Sequence, residues 1–303
     1  MSDSLRDKIA ELKRQRGAVI LVHNYQPAEV QEVADFTGDS LQLSRQAAKT
    51  DAAVIVFCGV HFMAETAAIL SPDKTVLMPD PLAGCPMADM ITADGLRKLK
   101  AKHPGAVVVC YVNSSAEVKA ESDCCCTSAN AVAVVKAIDA GKEIIFVPDK
   151  YLGEYVSEQT GRKMVLWPGY CPIHVLITEE DVLAAKKAHR GAFVMVHPEC
   201  TGPVRGLADA VLSTGGMRRR AAESNAAEFI VGTEVGMLYR LAKDNPGKRF
   251  YPATQDAVCP NMKRTTLEKV LWSLEDMEYR ITVPAEIASR ARGAIDRMLA
   301  ITG

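Results

Sequence analysis

The chain contains the same kind of segment three times. GAVILVHNYQPAEV begins at Gly17, GAVVVCYVNSSAEV at Gly105 and GAFVMVHPECTGPV at Gly191, at spacings of 88 and 86 residues. Each is a glycine followed by a short β-branched run, the pattern of a strand buried in a parallel sheet. Each run ends in a polar cluster: His23-Asn24-Tyr25, Tyr111-Val112-Asn113 and His197-Pro198-Glu199. Three more landmarks keep the period. Ser40, Ser128 and Thr214 each follow the strand end by 17 residues and precede a helical pattern, as helix N-caps do. Cys85-Pro86, Cys171-Pro172 and Cys259-Pro260 recur after 86 and 88 residues. Ser4, Thr92, Thr178 and Thr266 read as caps before a further helix, spaced by 88, 86 and 88 residues. Such a period specifies a triplicated unit.

Each unit reads as helix, strand, loop, helix, strand, helix, strand and cysteine loop. The later strands are expected at 53–58 and 76–78, at 143–147 and 164–167, and at 228–231 and 249–251. Alternating strands and helices mean right-handed crossovers and a parallel sheet covered by helices, an α/β fold. The units are placed at 4–91, 92–177 and 178–265, followed by C-terminal helices over 266–303 that complete the repeats. The capped helix occurs four times, so one copy is surplus, and its owner is left open. From Val283 onward, Ile287, Ala291, Ala294 and Met298 fall at helical spacing and predict one more amphipathic helix.

Composition removes several function classes. Apolar residues make up 48% of the chain, and 36 basic residues nearly balance 37 acidic ones. Disorder is excluded, and so is nucleic-acid binding through a strong overall positive field. The start, MSDSLRDKIAELKRQRG, has no apolar core of a signal peptide, and the longest clean apolar run, 52–60, is too short to span a bilayer. A cytoplasmic location is expected, where nine cysteines read as thiols or metal ligands rather than disulfides. No phosphate-binding glycine loop, GxGxxG, GxSxG or CxxxCxxC is present.

In open α/β folds ligands bind beyond the carboxyl ends of the strands. Units packed about a pseudo-threefold axis would bring Cys85, Cys171 and Cys259 to one point. Three thiolates cannot pair among themselves, but they suit a metal or an iron–sulfur cluster. Three ligands on a four-iron cluster leave one iron open as a Lewis acid, which suits dehydration. Zinc held by three cysteines and a histidine is the rival. The other six cysteines read as non-ligands: Cys58 and Cys110 lie in strands, Cys124, Cys125 and Cys126 are consecutive, and Cys200 has no counterpart. His23 and His197 occupy equivalent strand ends, and His174 follows Cys171 by three residues. With Tyr25, Tyr111 and Glu199 they are the candidates for proton transfer. His61 begins a helix, and His103 and His189 are expected to be solvated in surface loops. Helix N-termini at Ser40, Ser128 and Thr214 could hold carboxylates or phosphate. A metabolite sensor and a binding protein with a structural metal also fit these features.

HNYQPAEVQEVADFTGDS, GCPMADM, YVNSSAEVKAESDCCCTSAN, WPGYCPIH, HPEC and CPNMKRTTLEK, in this order over nearly the whole chain, resemble the quinolinate synthase family. The resemblance implies three homologous three-layer α/β/α domains with short parallel sheets around a pseudo-threefold axis, with a [4Fe-4S] cluster between them. It implies condensation of iminoaspartate with dihydroxyacetone phosphate to quinolinate, phosphate and water, in de novo NAD biosynthesis. Cys85, Cys171 and Cys259 would be the cluster ligands. Substrate contacts would come from His23, Ser40, Tyr111, Asn113, Ser128, His197, Glu199 and Thr214. Tyr25 and His174 also match active-site positions, and with His23, Tyr111, His197 and Glu199 they would form the catalytic set. The implied partners are these small molecules and, transiently, the enzyme that produces iminoaspartate, with neither nucleic acid nor membrane. Some members carry a CxxC pair around the last ligand. Asp256 stands three residues before Cys259 here, so that redox feature is absent.

Overall fold

The computed structural model describes residues 2–301; 302 and 303, the end of the expected C-terminal segment, lie outside the described residues. The first unit runs α1 (Ser2–Arg16), β1 (Ala18–His23), α2 (Ala28–Glu32), β2 (Phe36–Gly38), α3 (Ser40–Lys49), β3 (Val54–Cys58), α4 (His61–Leu70), β4 (Thr75–Leu77) and α5 (Pro86–Asp89). The second repeats it as α6 (Ala93–Lys102), β5 (Val107–Tyr111), α7 (Ala116–Ala120), β6 (Cys124–Cys126), α8 (Ala131–Lys136), β7 (Ile144–Val147), α9 (Lys150–Thr160), β8 (Val165–Leu166) and α10 (Pro172–Val175). The third follows as α11 (Glu179–Ala188), β9 (Phe193–Val196), α12 (Gly202–Gly206), β10 (Ala210–Val211), α13 (Thr214–Glu223), β11 (Glu228–Gly232), α14 (Met237–Asp244) and β12 (Arg249–Pro252). A single 3-10 turn at Asn261–Lys263 replaces the short helix after the cysteine, and α15 (Leu267–Asp276) and α16 (Ala285–Ala300) close the chain.

All three sheets are parallel, four-stranded and ordered alike: β2-β1-β3-β4, β6-β5-β7-β8 and β10-β9-β11-β12. Helices cover the sheets, giving three α/β/α units related by a pseudo-threefold axis. The registers repeat as well. Val22 pairs with Cys58, Cys110 with Val147, and Val196 with Gly232. The inner strands are buried on both faces, which is why β3 reads Val-Ile-Val-Phe-Cys without alternation. Each such side chain contributes roughly 1.5–3 kcal/mol through burial.

The sequence pattern had three strands per unit, and the structure has four. β2, β6 and β10 hold only two or three residues each and sit at the sheet edge. A run that short shows no period, and in the second unit it is the three consecutive cysteines. The caps also shift. Thr92, Thr178 and Thr266 do cap α6, α11 and α15, but Ser4 lies inside α1. The N-cap of α3 is Asp39, not Ser40, and that of α13 is Ser213, not Thr214. Ser128 precedes α8 in a turn, where Asn130 holds the cap position. The acceptor that satisfies the first turn is supplied one step earlier, so the hydroxyls of Ser40 and Thr214 are not consumed as caps.

The two last helices cover different units. Leu267, Val270, Leu271 and Leu274 of α15 join Ile9 of α1 over Ile20, Val22, Val54 and Val56 of the first sheet. α16 buries Ala291, Ala294, Ile295 and Met298 and packs on α7 and β6 of the second unit and on α4 of the first. Arg292 Nη1 donates to the terminal carbonyls of α4, Ile69 and Leu70, at 3.1 Å. Among the described residues no helix is long and apolar enough to cross a membrane.

Candidate active site

The ends of β1, β5 and β9 meet at one cavity of about 240 Å³, to which each polar cluster delivers its first and third residues. Every residue expected at the site as ligand, substrate contact or catalyst lines it: His23, Tyr25, Ser40 and Cys85 from the first unit, Tyr111, Asn113, Ser128, Cys171 and His174 from the second, and His197, Glu199, Thr214 and Cys259 from the third. Val60, Phe62, Met63 and Met262 make most of the remaining wall apolar, and Asp39, Thr127, Glu234 and Asn261 add polar groups to it. A small, mostly apolar chamber with a few converging polar groups is the usual form of a ligand site.

Glu199 is the electrostatic centre. It is buried, yet its two oxygens are fully engaged. Tyr111 Oη donates to Oε1 at 2.5 Å, and His174 Nδ1 lies 2.7 Å from Oε2. His197 Nδ1 is 3.8 Å from the same oxygen. Burial opposes ionisation of this carboxyl, but the imidazoles of His174 and His197 beside it and the hydrogen bonds from His174 and Tyr111 outweigh it. They hold Glu199 below the usual carboxylate range. Burial raises the phenols of Tyr25 and Tyr111 well above the ordinary tyrosine value, and the Glu199 charge adds to this. His23 and His197 are lowered to about 3, first by burial, then by Lys263 for His23 and by His174 and His23 for His197.

Hydrogen bonds tie the hydroxyls to neighbouring units. Ser128 Oγ is 3.2 Å from His197 Nε2, and Thr214 Oγ1 accepts from Asn24 Nδ2 at 3.0 Å. Asn113 Oδ1 is buried without a protein partner. Close approach of α3 and α13 depends on Gly215, where a Cβ would lie 2.3 Å from Asp39 Oδ2.

Cys85, Cys171 and Cys259 are free, half-buried thiols. Burial raises all three, Cys85 to about 12, and the charge of Cys259 on Cys85, and of Cys85 on Cys171, raises them further. Thiols that sense each other across one cavity are disfavoured as bare anions. A cationic group between them removes that penalty, so the donor set fits a metal or iron–sulfur centre. Cys171, His174 and Glu199 also offer ligand atoms within 4.8 Å of one another. Hydrogen bonds account for that closeness, since His174 Nδ1 is 3.1 Å from Cys171 Sγ and 2.7 Å from Glu199. The other cysteines are buried, Cys124, Cys125 and Cys126 as the edge strand β6.

Three residues at the site escape the sequence reading. Thr233 Oγ1 lies 2.5 Å from Tyr25 Oη and 2.8 Å from His174 Nε2. Glu234 is buried, pairs with Lys263 at 2.8 Å and accepts from the Cys259 amide at 3.1 Å. Asp149 is buried at the equivalent place in the second unit and caps α9. His103 and His189 depart from expectation too. Each ends a helix half-buried, His103 against Glu143 at 3.0 Å and His189 stacked on Tyr251 with centroids 3.5 Å apart.

Three parallel α/β units that share one cavity, with a thiol from each and a buried acid–imidazole–phenol network, define a class of α/β enzyme whose site carries a candidate metal-binding cluster. The family model described as "NadA: Quinolinate synthetase A protein" matches residues 7–300. The chain is 60% identical over 301 residues to the quinolinate synthase of Dehalococcoides mccartyi, covering 99% of both chains. It is 57% identical over 297 residues to that of Methanoregula boonei and 56% over 296 residues to that of Thermodesulfovibrio yellowstonii, covering 98% and 97% of each pair. The chain belongs to the quinolinate synthase family and is an enzyme.

Proposed function

We propose that the chain condenses iminoaspartate with dihydroxyacetone phosphate to give quinolinate, phosphate and water, as a step of de novo NAD biosynthesis. The observation that carries this reading is the convergence of one thiol from each repeat on the cavity that holds the Glu199 network. Cys85, Cys171 and Cys259 would hold a [4Fe-4S] cluster, which when bound supplies a Lewis-acidic iron without a protein ligand. The remaining roles fall to side chains. Ser40, Ser128 and Thr214 offer hydroxyls beside helix starts, where carboxylates and phosphate are favoured, and Asn113 offers an unpartnered amide. Glu199, kept ionised, takes a proton from a carbon or nitrogen acid in the cavity. Tyr111, on its other oxygen, returns one to a leaving hydroxyl or phosphate. His23 and His197 stay neutral and act as acceptors or donors without adding charge. The apolar walls exclude water from these transfers.

A cytoplasmic location and transient contact with an enzyme that produces iminoaspartate belong to the same proposal. Free cysteines throughout the described residues support the first. The test is anaerobic purification and assay with both substrates. Quinolinate and phosphate in equal amounts are expected, and no quinolinate from iron-replete protein would overturn the assignment. A sample holding zinc in place of iron, and active, would overturn the cluster.

A further inference from the structure

Both proposed substrates are anions, one with two carboxylates and one with a phosphate. Yet among the described residues no lysine or arginine lines the cavity, whereas Asp39, Glu199 and Glu234 do. Lys263, in the turn after Cys259, is paired with Glu234 at 2.8 Å. Helix starts offer partial charges only. A full positive charge to match the ligands has to stand behind the wall.

Lys119 of α7 stands there. It is wholly buried, a rare state for a lysine. Its Nζ donates to the carbonyl of Ser114 at 2.6 Å and to that of Phe62 at 3.4 Å, and lies 5.4 Å from the centre of the Phe62 ring. These neighbours are acceptors or a π face, as an ammonium requires, and none is a carboxylate. Glu65, the acid in the same contact between α4 and α7, serves other partners. Its Oε2 accepts from the Ala116 amide at 3.1 Å, and its Oε1 is 3.9 Å from His61 Nδ1. Both carbonyls that hold Lys119 belong to the wall. Phe62 lines the cavity from the first unit. Ser114 follows Asn113, which lines it from the second, and Ser114 Oγ donates to the Tyr111 carbonyl at 3.1 Å. The ammonium is thus bonded to the residue beside the Asn113 amide, whose Oδ1 has no protein partner.

We infer that Lys119 is a specificity-determining residue of the cavity: an ammonium behind the wall, without an acid of its own, that selects anionic ligands without touching them. The identity of those anions rests on the quinolinate synthase reading above. A buried ammonium with no acid partner burdens the fold. An anion in the cavity supplies the missing countercharge, across a wall that screens the attraction far less than water does. The charge is already in place when the ligand arrives, so nothing has to rearrange. Hydroxyls and the Asn113 amide make the direct bonds, and Lys119 sets the sign of what they hold.

The test measures binding to anaerobically prepared, cluster-loaded protein by titration calorimetry. Its probes are phthalate, an unreactive aromatic dianion, and phthalamide, an uncharged molecule of similar shape. Wild type is expected to favour phthalate. Lys119→Met keeps the stem and removes the charge, and Lys119→Gln also keeps a donor for the two carbonyls. In both, the phthalate Kd is expected to rise by at least about ten-fold while the phthalamide Kd stays within about two-fold. Uncharged side chains are tolerated where a buried charge stood, and the glutamine variant decides alone if the methionine variant does not fold. Phthalate affinity within about two-fold of wild type in a folded variant, an equal loss of both probes, or a wild type that prefers neither, would overturn the role. Wild type without quinolinate turnover counts against the proposed reaction, while the ratio of the two affinities still decides Lys119.

Discussion

Two buried imidazoles at the ends of equivalent strands, His23 and His197, stay neutral far below the pH at which a free histidine protonates. In the unfolded chain both take up a proton near pH 6.5. The fold refuses that proton until about pH 3. Stability from this source is therefore complete above pH 6.5 and is lost as the pH falls toward 3, at roughly 1.4 kcal/mol per pH unit for each ring. Urea melts at pH 7, 6 and 5 are expected to show a falling midpoint, and in His197→Gln a shallower fall. A midpoint flat across this range would contradict the assignment. Glu199→Gln keeps the shape but removes the charge on which Tyr111 and His174 converge. Turnover is expected to drop by roughly 10²–10⁴ with iron content retained; near-wild-type turnover would remove Glu199 from the chemistry. The site was legible at this scale because side-chain type and period coincide at His23, Tyr111 and His197. Thr233 and Glu234 were not. By register they match Gly59-Val60 and Pro148-Asp149: the hydroxyl of Thr233 has no counterpart, and the acid recurs only at Asp149 and Glu234, with valine in the first unit, too little to mark the place.

At the scale of elements, the period located the long strands and the helices with Thr92, Thr178 and Thr266 as caps, but not the edge strands. β10 has two residues, too few to alternate or to form a run. The cap positions were off by one at α3 and α13, since Asp39 and Ser213 compete with the residues beside them for the same role. That offset places the Ser40 and Thr214 side chains at the cavity rather than on the backbone. The contact of those two helices rests on Gly215. Gly215→Ala is expected to cost about 1–3 kcal/mol and to lower activity, because the neighbour is a carboxylate fixed by its own cap. Gly206, with nothing near its missing Cβ, is the control, and Gly206→Ala is expected to change neither. Equal melting temperatures for the two variants would contradict this packing. Arg292→Ala removes two bonds from α16 to the end of α4. A loss of about 1–3 kcal/mol with turnover unchanged is expected, read by denaturation and assay.

For the whole molecule, triplication does what no single unit can. A unit of this size supplies one thiol, one strand end and one helix start, and only three together enclose a cavity. That much followed from the spacing of the cysteines. What covers each sheet did not, because the amphipathic faces of α15 and α16 do not name their partners; the structure places one on the first unit and the other on the second and first. The central claim is that the three repeats pool their cysteines on one cluster with an open iron. It is tested most directly by iron and sulfide analysis of anaerobically purified wild type beside Cys85→Ala, Cys171→Ala and Cys259→Ala, with Cys200→Ala as the buried control. About four irons and four sulfides per chain are expected in wild type and in the Cys200 variant, with the cluster lost in each of the other three. Full iron content in any one of those three variants, or zinc in place of iron in wild type, would contradict it.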